Sequence, residues 1–515
     1  MPIRISGLNS GLDTDSIVQE LVSAYRTKQD KYTKAQTKLS WKQDAWKEMN
    51  TKIYNFYTKS LSNMRRVGNF NKKSTTVSDS TKATVSASSS VANGTQTLEV
   101  KQLAKVGHLT GQQLKMVNSG AKIDSSTNLF SLGVTDGTLT FDVGGERKSV
   151  NVTSTMTVGE FTKALQEQGI SANFDTNQQR FFLSSMKSGE ANDINLIVNE
   201  GDEAAFKLAD SLGLATVDNY KAAYKVADAD VPDDRSFASK SDARNAIIVL
   251  NGATFEGESN DFSINGLNIT ALGVSDEMTI TTATDVDGVY NMVKDFLKEY
   301  NEVVNAMEKA YNAASSKGYE PLTDDEKSEL SDKEVEKWEQ KIKDSILRRD
   351  DTLRSVLNSM STNMGKTLEI NGKKYSLATF GIKTAGYFNA AENESYAYHI
   401  DGDADDAFSS GNDDKLRKMI EEDPDAVASF FTQLATTVYD ELHERMESTT
   451  LSSAYKVYND KQMQTEYDEY TKTIKKWEEK LKEMEESYYK KFAAMETALS
   501  KLQSQTNSLS SLLGG

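Results

Sequence analysis

The chain has 515 residues, 37% of them hydrophobic and 27% charged, and a formal net charge of −17. That acidic balance argues against binding a nucleic-acid backbone, which needs a basic face. The absence of cysteine rules out disulfides and thiol chemistry and suits work outside the cell, while no apolar run approaches the ~20 residues of a membrane span.

The opening Met1-Pro2-Ile3-Arg4-Ile5-Ser6-Gly7 lacks the apolar centre of a secretory signal, so export is expected by a route without signal cleavage. Residues 7–16 read as a loop leading into a helix. Ser16 with Gln19 fits a capping box, and Asp13 and Asp15 favour the positive end of the helix dipole. Apolar residues then recur at Val18, Leu21, Tyr25, Tyr32, Ala35, Leu39, Trp46, Met49, Ile53 and Phe56, predicting an N-terminal helical leg over 1–66. Lys28 and Lys42 fall on the same seam and weaken it.

From Gly68 the helical period disappears and Ser and Thr crowd residues 74–97, so 67–110 is expected to be a linker and first β passage ending in a strand from Thr97. Residues 111–202 are expected to form a small α+β head domain. Leu139, Phe141 and Val143 alternate, Gly144-Gly145 turns the chain, a helix carries Val158, Phe161 and Leu165, and a second hairpin runs from Ile170 to Ser184. Residues 203–285 are expected to form a second β-rich head region, with a short helix from Ala204 to Leu212 and turns at Asn251-Gly252 and Asn265-Gly266. Helical pattern resumes over 286–449, with a wide apolar face from Val289 to Met307, an acidic helix near 323–345, a helix from Ile346 to Met364 and a β-hairpin near 368–382.

The C-terminal leg, 450–515, carries the strongest pattern. Tyr467, Tyr470, Ile474, Trp477, Leu481, Met484 and Tyr488 step by three and four, a heptad seam. A further step of four to Phe492 is a stutter, after which Met495, Leu499, Leu502 and Leu509 resume the line. Such a helix would reach roughly 70 Å. Its partners are expected among other subunits or at the other end of the chain. The predicted architecture is a multidomain α+β chain, with a coiled-coil or helical-bundle leg made from both termini and β-rich head domains inserted in the middle. Candidate assembly contacts are the seam residues Leu21, Tyr25, Tyr32, Leu39, Trp46, Ile53, Ile474, Trp477, Leu481, Met484, Tyr488, Phe492, Met495, Leu499 and Leu502.

Catalytic and metal constellations are scarce. His108, His399 and His443 are scattered and stand in no catalytic motif. Asp401, Asp403 and Asp405 resemble the start of a calcium loop, but Asp406 and Asn412 stand where such a loop needs Gly and Glu. A solvated acidic loop is the better reading. Neither an enzyme nor a cofactor is expected.

Several stretches carry a resemblance. Ile5-Ser-Gly-Leu-Asn-Ser-Gly-Leu-Asp-Thr-Asp-Ser-Ile-Val, Gly94-Thr-Gln-Thr-Leu-Glu-Val-Lys-Gln-Leu-Ala, Asp295-Phe-Leu-Lys-Glu-Tyr-Asn, Thr379-Phe-Gly-Ile, Asp423-Pro-Asp-Ala-Val-Ala-Ser-Phe-Phe and the run from Tyr489 to Gln505 resemble, in order, the flagellar filament cap family, also called hook-associated protein 2. The resemblance implies an axial component of the bacterial flagellum, exported through the flagellar type III apparatus and placed at the filament tip outside the cell. It implies a homo-oligomeric ring, typically of five subunits, that guides flagellin into place and prevents its loss. Implied partners are flagellin, an export chaperone and the hook–filament junction proteins, with a host surface or mucin as a further partner of the heads. The alternatives are a surface adhesin or another axial protein, such as a hook–filament junction protein.

Overall fold

The structure is a computed structural model, described here over residues 11–117, 120–386 and 388–513. The chain divides into two compact units, one of residues 1–70 with 286–515 and the other of residues 71–285. Both chain ends therefore belong to one unit, and the other unit is an uninterrupted insertion.

The first unit is helical. Its N-terminal helix, Thr14–Asn55, runs straight into a π-helical stretch, Phe56–Leu61. The cap lies three residues before the predicted Ser16. Asp13 is the cap, accepting from the Ser16 N–H at 3.1 Å, and the Ser16 hydroxyl donates back to it. These bonds, the side-chain bond from Ser16 first, hold the Asp13 carboxyl below its ordinary range. The predicted wide apolar face becomes the helix Val286–Asn312, which buries Val289, Val293, Phe296, Tyr300, Val304 and Met307. Around it stand Asp351–Met364, Lys415–Glu422 and Pro424–Arg445. Asp351–Met364 begins five residues after the expected Ile346, because Arg349 takes a left-handed conformation (φ 56°) and Asp350 caps the helix. Pro424 costs no hydrogen bond, since it occupies the first turn of its helix behind the Asp423 cap. These helices and the root of the N-terminal helix share one core, in which Phe56 stacks on Phe296 and Phe380 packs on Phe430 and Phe431.

The inserted unit contains two cores. A five-stranded antiparallel sheet runs in the order Lys73–Val77, Met278–Thr284, Gly94–Gln102, Ala246–Leu250, Ala253–Gly257. With the three-stranded sheet Asp261–Ile264, Leu267–Ala271, Ala83–Ala87 it buries Leu98, Val100, Ile248, Ile269 and Ile280. The second core lies within 109–238. There Gly137–Val143 pairs with Glu146–Val152, and Ile170–Asp175 pairs with Arg180–Ser185. The helix Val158–Glu167 opens on a complete Thr157–Glu160 capping box, and its Phe161 meets Phe181 edge to face. The helices Glu203–Ser211 and Val217–Tyr224 pack into this same core through Phe206, Leu208 and Ala223, and Ser239–Ser241 joins its four-stranded sheet. Residues 203–241 thus share a core with 109–202.

Asn-Gly pairs make three of the hairpin turns. Asn251, Asn265 and Asn371 all have φ near +50°, each followed by a left-handed glycine, the pair that a two-residue hairpin turn demands.

Asp193 holds the two cores of the inserted unit to their connecting segments. Its carboxylate takes the Lys240 ammonium at 2.7 Å and the Ala243 N–H at 3.0 Å. Burial works to raise this carboxyl, but Lys240 and the backbone N–H groups of Ala243 and Ile194 prevail and keep it below its ordinary value. Gly107 lies so close that a Cβ there would collide with Asp193 Oδ1 and press on the Ile194 nitrogen at 3.2 Å. Asp193→Asn is expected to destabilise this unit by about 2 kcal/mol at neutral pH. A depressed folded pKa stabilises above the unfolded carboxylate value, and that stabilisation is lost as pH falls through the folded one. The gap between parent and variant in urea melts should therefore close in acid.

Candidate assembly interface

The C-terminal helix, Asp460–Leu513, packs along the N-terminal one. Gln36 donates to Thr471 Oγ1 at 2.6 Å, Tyr32 meets Tyr470 with ring centroids 6.4 Å apart, and Gln29 donates to Glu478 at 3.3 Å. Further along, Val18 and Val22 close around Leu481 with Tyr25, Tyr488, Tyr489 and Phe492. Residue numbers fall on one helix as they rise on the other, so the pair is antiparallel. The leg predicted from both termini is therefore a pairing within a single chain.

At the root the pairing is tight. Trp46 stacks on Tyr458 at 5.2 Å and 11°. Buried Asn50 donates its amide to the Tyr455 carbonyl at 3.1 Å and accepts the Val457 N–H at 2.9 Å. Both groups lie on the segment that feeds the C-terminal helix, so one side chain fixes its starting point against the N-terminal helix.

Away from the root the core thins. Between Val22 and Leu39 of the N-terminal helix no residue is buried, and Leu481 is the only buried residue of the C-terminal helix among 460–511. Of the predicted seam residues, Leu39, Trp46, Ile53 and Leu481 are buried, while Tyr25, Tyr32, Ile474, Trp477, Met484, Tyr488, Phe492, Met495 and Leu499 are half-buried. Leu21 and Leu502 are exposed, at 41% and 58%. Leu21 misses the seam because the inward line steps four residues from Val18 to Val22 and three more to Tyr25. Trp46 and Ile53 serve the core of their own chain and are closed to another subunit. Val22 belongs to the seam without having been predicted, and the step of four from Val18 is the signal that would have found it; Tyr489 packs on the same cluster.

The lysines that interrupt the seam are accommodated rather than buried. Lys28 Nζ lies 5.7 Å from the Trp477 ring centroid, within cation–π range, and Lys42 pairs with Asp350 at 2.9 Å. The stutter does not break the helix, which is continuous through Tyr488 and Phe492. From Ser500 to Ser511 every residue is exposed, Leu502 and Leu509 included. About 18 Å of helix thus carries its apolar line with no packed neighbour among the described residues.

The acidic loop, His399 and His443 are occupied by internal contacts. Lys383 pairs with Asp401 at 2.8 Å, Lys294 with Asp403 and Asp405 at 2.7 Å each, and His399 with Asp406 at 2.7 Å. His443 Nδ1 meets the Tyr57 hydroxyl at 2.7 Å, and His108 lies in a strand paired on both sides. Among the described residues no group of three or more metal-ligating side chains could hold an ion.

Val22→Ala is expected to open the distal leg, at a local cost of about 1–2 kcal/mol, whereas Leu21→Ala should leave it unchanged. Hydrogen exchange of residues 14–30 and 474–492 would separate the two. Equal protection in both variants would contradict the Val18–Val22–Tyr25 seam.

The family models described as "Flagellar hook-associated protein 2 C-terminus" and "Flagellar hook-associated protein 2 N-terminus" match residues 243–504 and 10–106. The flagellar hook-associated protein 2 of Halalkalibacterium halodurans is 23% identical over 470 residues, covering 82% of this chain and 78% of that protein. The A-type flagellar hook-associated protein 2 of Pseudomonas aeruginosa is 27% identical over 316 residues, covering 58% of this chain and 62% of that one. The crystal structure of the D1-D2-D3 domains of the flagellar cap protein FliD from Escherichia coli aligns with a TM-score of 0.50 at 17% identity, covering 83% of this chain and 99% of that chain. At that identity the likeness is one of fold. With one family model covering just over half of its length and a second covering its N-terminal region, the chain belongs to the flagellar hook-associated protein 2 family.

Proposed function

We propose that this chain caps the distal end of the bacterial flagellar filament, assembling as a small ring of copies, five being usual for the family. In that role it promotes ordered addition of flagellin and prevents its loss. The observation that carries the reading is the long antiparallel leg, whose seam is half open along its length and unoccupied beyond Ser500. A helix with this much exposed apolar line is stable in water only when something packs on it. Flagellin at the growing end and neighbouring copies of the chain are the partners that fit.

A thin core also suits a cap that must move. Few buried contacts mean a low free energy of local opening, so the leg can release and repack as each new subunit enters. Tight packing at the Trp46–Tyr458 root keeps the two helices in register while their distal parts exchange partners. Delivery is through the flagellar type III route, and the exposed seam suits an export chaperone that covers it before assembly. The hook–filament junction proteins are further partners, and the cap works outside the cell.

Leu499→Asp with Leu502→Asp is the sharpest test, since Leu499 is half-buried and Leu502 exposed, so neither sits in a packed core. The variant should melt within about 2 °C of the parent, as surface substitutions do. It should nevertheless fail to restore motility to a strain lacking the native gene, with flagellin accumulating in the medium. Full motility with this variant exported would count against the leg as the assembly contact.

A further inference from the structure

Within the helical unit, a cavity of about 580 Å³ opens between the N-terminal helix and the segment 315–348. Lys34 and Lys38 project from the helix side, and Lys317 and Arg348 from the other, against two carboxylates, Glu320 and Glu326. Glu326 is already taken by Lys34 at 2.7 Å. Among the described residues, no carboxylate lies within ion-pair distance of Lys38, Lys317 or Arg348. In a chain with 77 acidic residues against 60 basic ones, a concavity that gathers cations and leaves them unneutralised runs against the composition.

The walls are held in place. Trp338 Nε1 donates to the Glu320 carbonyl at 2.8 Å, and Tyr319 packs on Trp338 with ring centroids 4.5 Å apart. Ser345 Oγ donates to Ser316 Oγ at 2.6 Å, which ties the two ends of the segment together. Lys317 and Arg348 each lie within three residues of that bond. Serine hydroxyls, two ammonium groups and a guanidinium fork are the donors that phosphate oxygens take, the guanidinium in paired hydrogen bonds. The volume exceeds what one phosphate needs and fits two or three linked ones.

We propose that this cavity binds a multivalent phosphate-bearing anion, which bridges Lys38 on the leg helix to Lys317 and Arg348 on the segment behind it. The ligand neutralises this cationic concavity and clamps the base of the leg. A phosphorylated metabolite and a short inorganic polyphosphate share this chemistry. Nothing in the inference depends on the cap reading.

The test is calorimetric titration of the full-length chain with sodium tripolyphosphate, with ADP and citrate as separate arms. Saturable binding of one tripolyphosphate per chain is expected, weakened about tenfold or more in the triple variant K38Q/K317Q/R348Q. Neutralising Lys82 and Lys101, in the other unit, should leave the affinity unchanged. Lys82 is half-buried and the other four side chains are exposed, and a melt of each variant checks its folding. Tighter binding of ADP than of tripolyphosphate would identify a nucleotide-type ligand, and the reverse a polyphosphate. Citrate bound as tightly as either would overturn the phosphate assignment. An unaltered affinity in the triple variant, or an equal loss on neutralising Lys82 and Lys101, would overturn the site. The clamp has its own readout: bound ligand should slow hydrogen exchange across residues 30–38 and 316–345, and unchanged exchange at saturation would refute it.

Discussion

Asn50 is the constraint on which the helical unit depends. Its amide is used twice, once as donor and once as acceptor, on the backbone between Tyr455 and Val457. A hydrophobic contact at this point would tolerate sliding by a turn. Two directional bonds from a buried amide do not, because a slipped register leaves both backbone groups and the amide unsatisfied in a buried setting. Trp46 on Tyr458 supplies the adjoining apolar area. The antiparallel pairing of the two long helices, the position of Leu481 opposite Val18 and Val22, and the length left over beyond Ser500 all follow from where that register is set.

Much of this was legible in the residues. The heptad line from Tyr467 to Tyr488 and the Asn-Gly pairs led to the right elements, because both rest on local geometry: the helical period and the left-handed turn. The partner of the seam was harder. A heptad states that something packs there, not what, and the other end of the chain fills only part of it. Leu21 was misplaced because two neighbouring residues can each satisfy a three-or-four step, and only the opposing helix decides between them. The π-helical stretch Phe56–Leu61 had no sequence signal. It buries Phe56, Tyr57 and Leu61 in the bundle core, which the helix already enters at Trp46, Met49 and Ile53. In residues 203–241 the short helix from Ala204 was legible, but Val217–Tyr224 was not, because the alanines and aspartates carry weak periodicity and the decisive contact, Phe206 among Tyr220, Tyr224 and Phe237, is between elements.

The same contrast separates the two kinds of surface on the helical unit. The leg offers apolar side chains along a line, suited to a partner that is itself a helix. The acidic loop 401–414 offers charge, yet each of Asp401, Asp403, Asp405 and Asp406 is held by a lysine or histidine of its own chain. Its carboxylates serve to pin the loop against Lys294, Lys383 and His399. A run of aspartates in a sequence therefore says little until its counter-charges are located.

The pairing of distant segments also fixes an order of events. Lys73 finds its strand partner at Thr284, and Gln36 finds Thr471. Closing loops of such length is slow relative to forming the helices themselves. A chain that emerges from one end, whether from a ribosome or from a narrow conduit, can complete the inserted β unit as soon as residue 284 is free. The bundle core can close once residue 458 is out, but the distal leg must wait for the final fifty residues. Until then the N-terminal helix has its seam uncovered. The distal leg thus stays unpaired through most of the chain's emergence, and closes only when the C-terminal helix meets the N-terminal one.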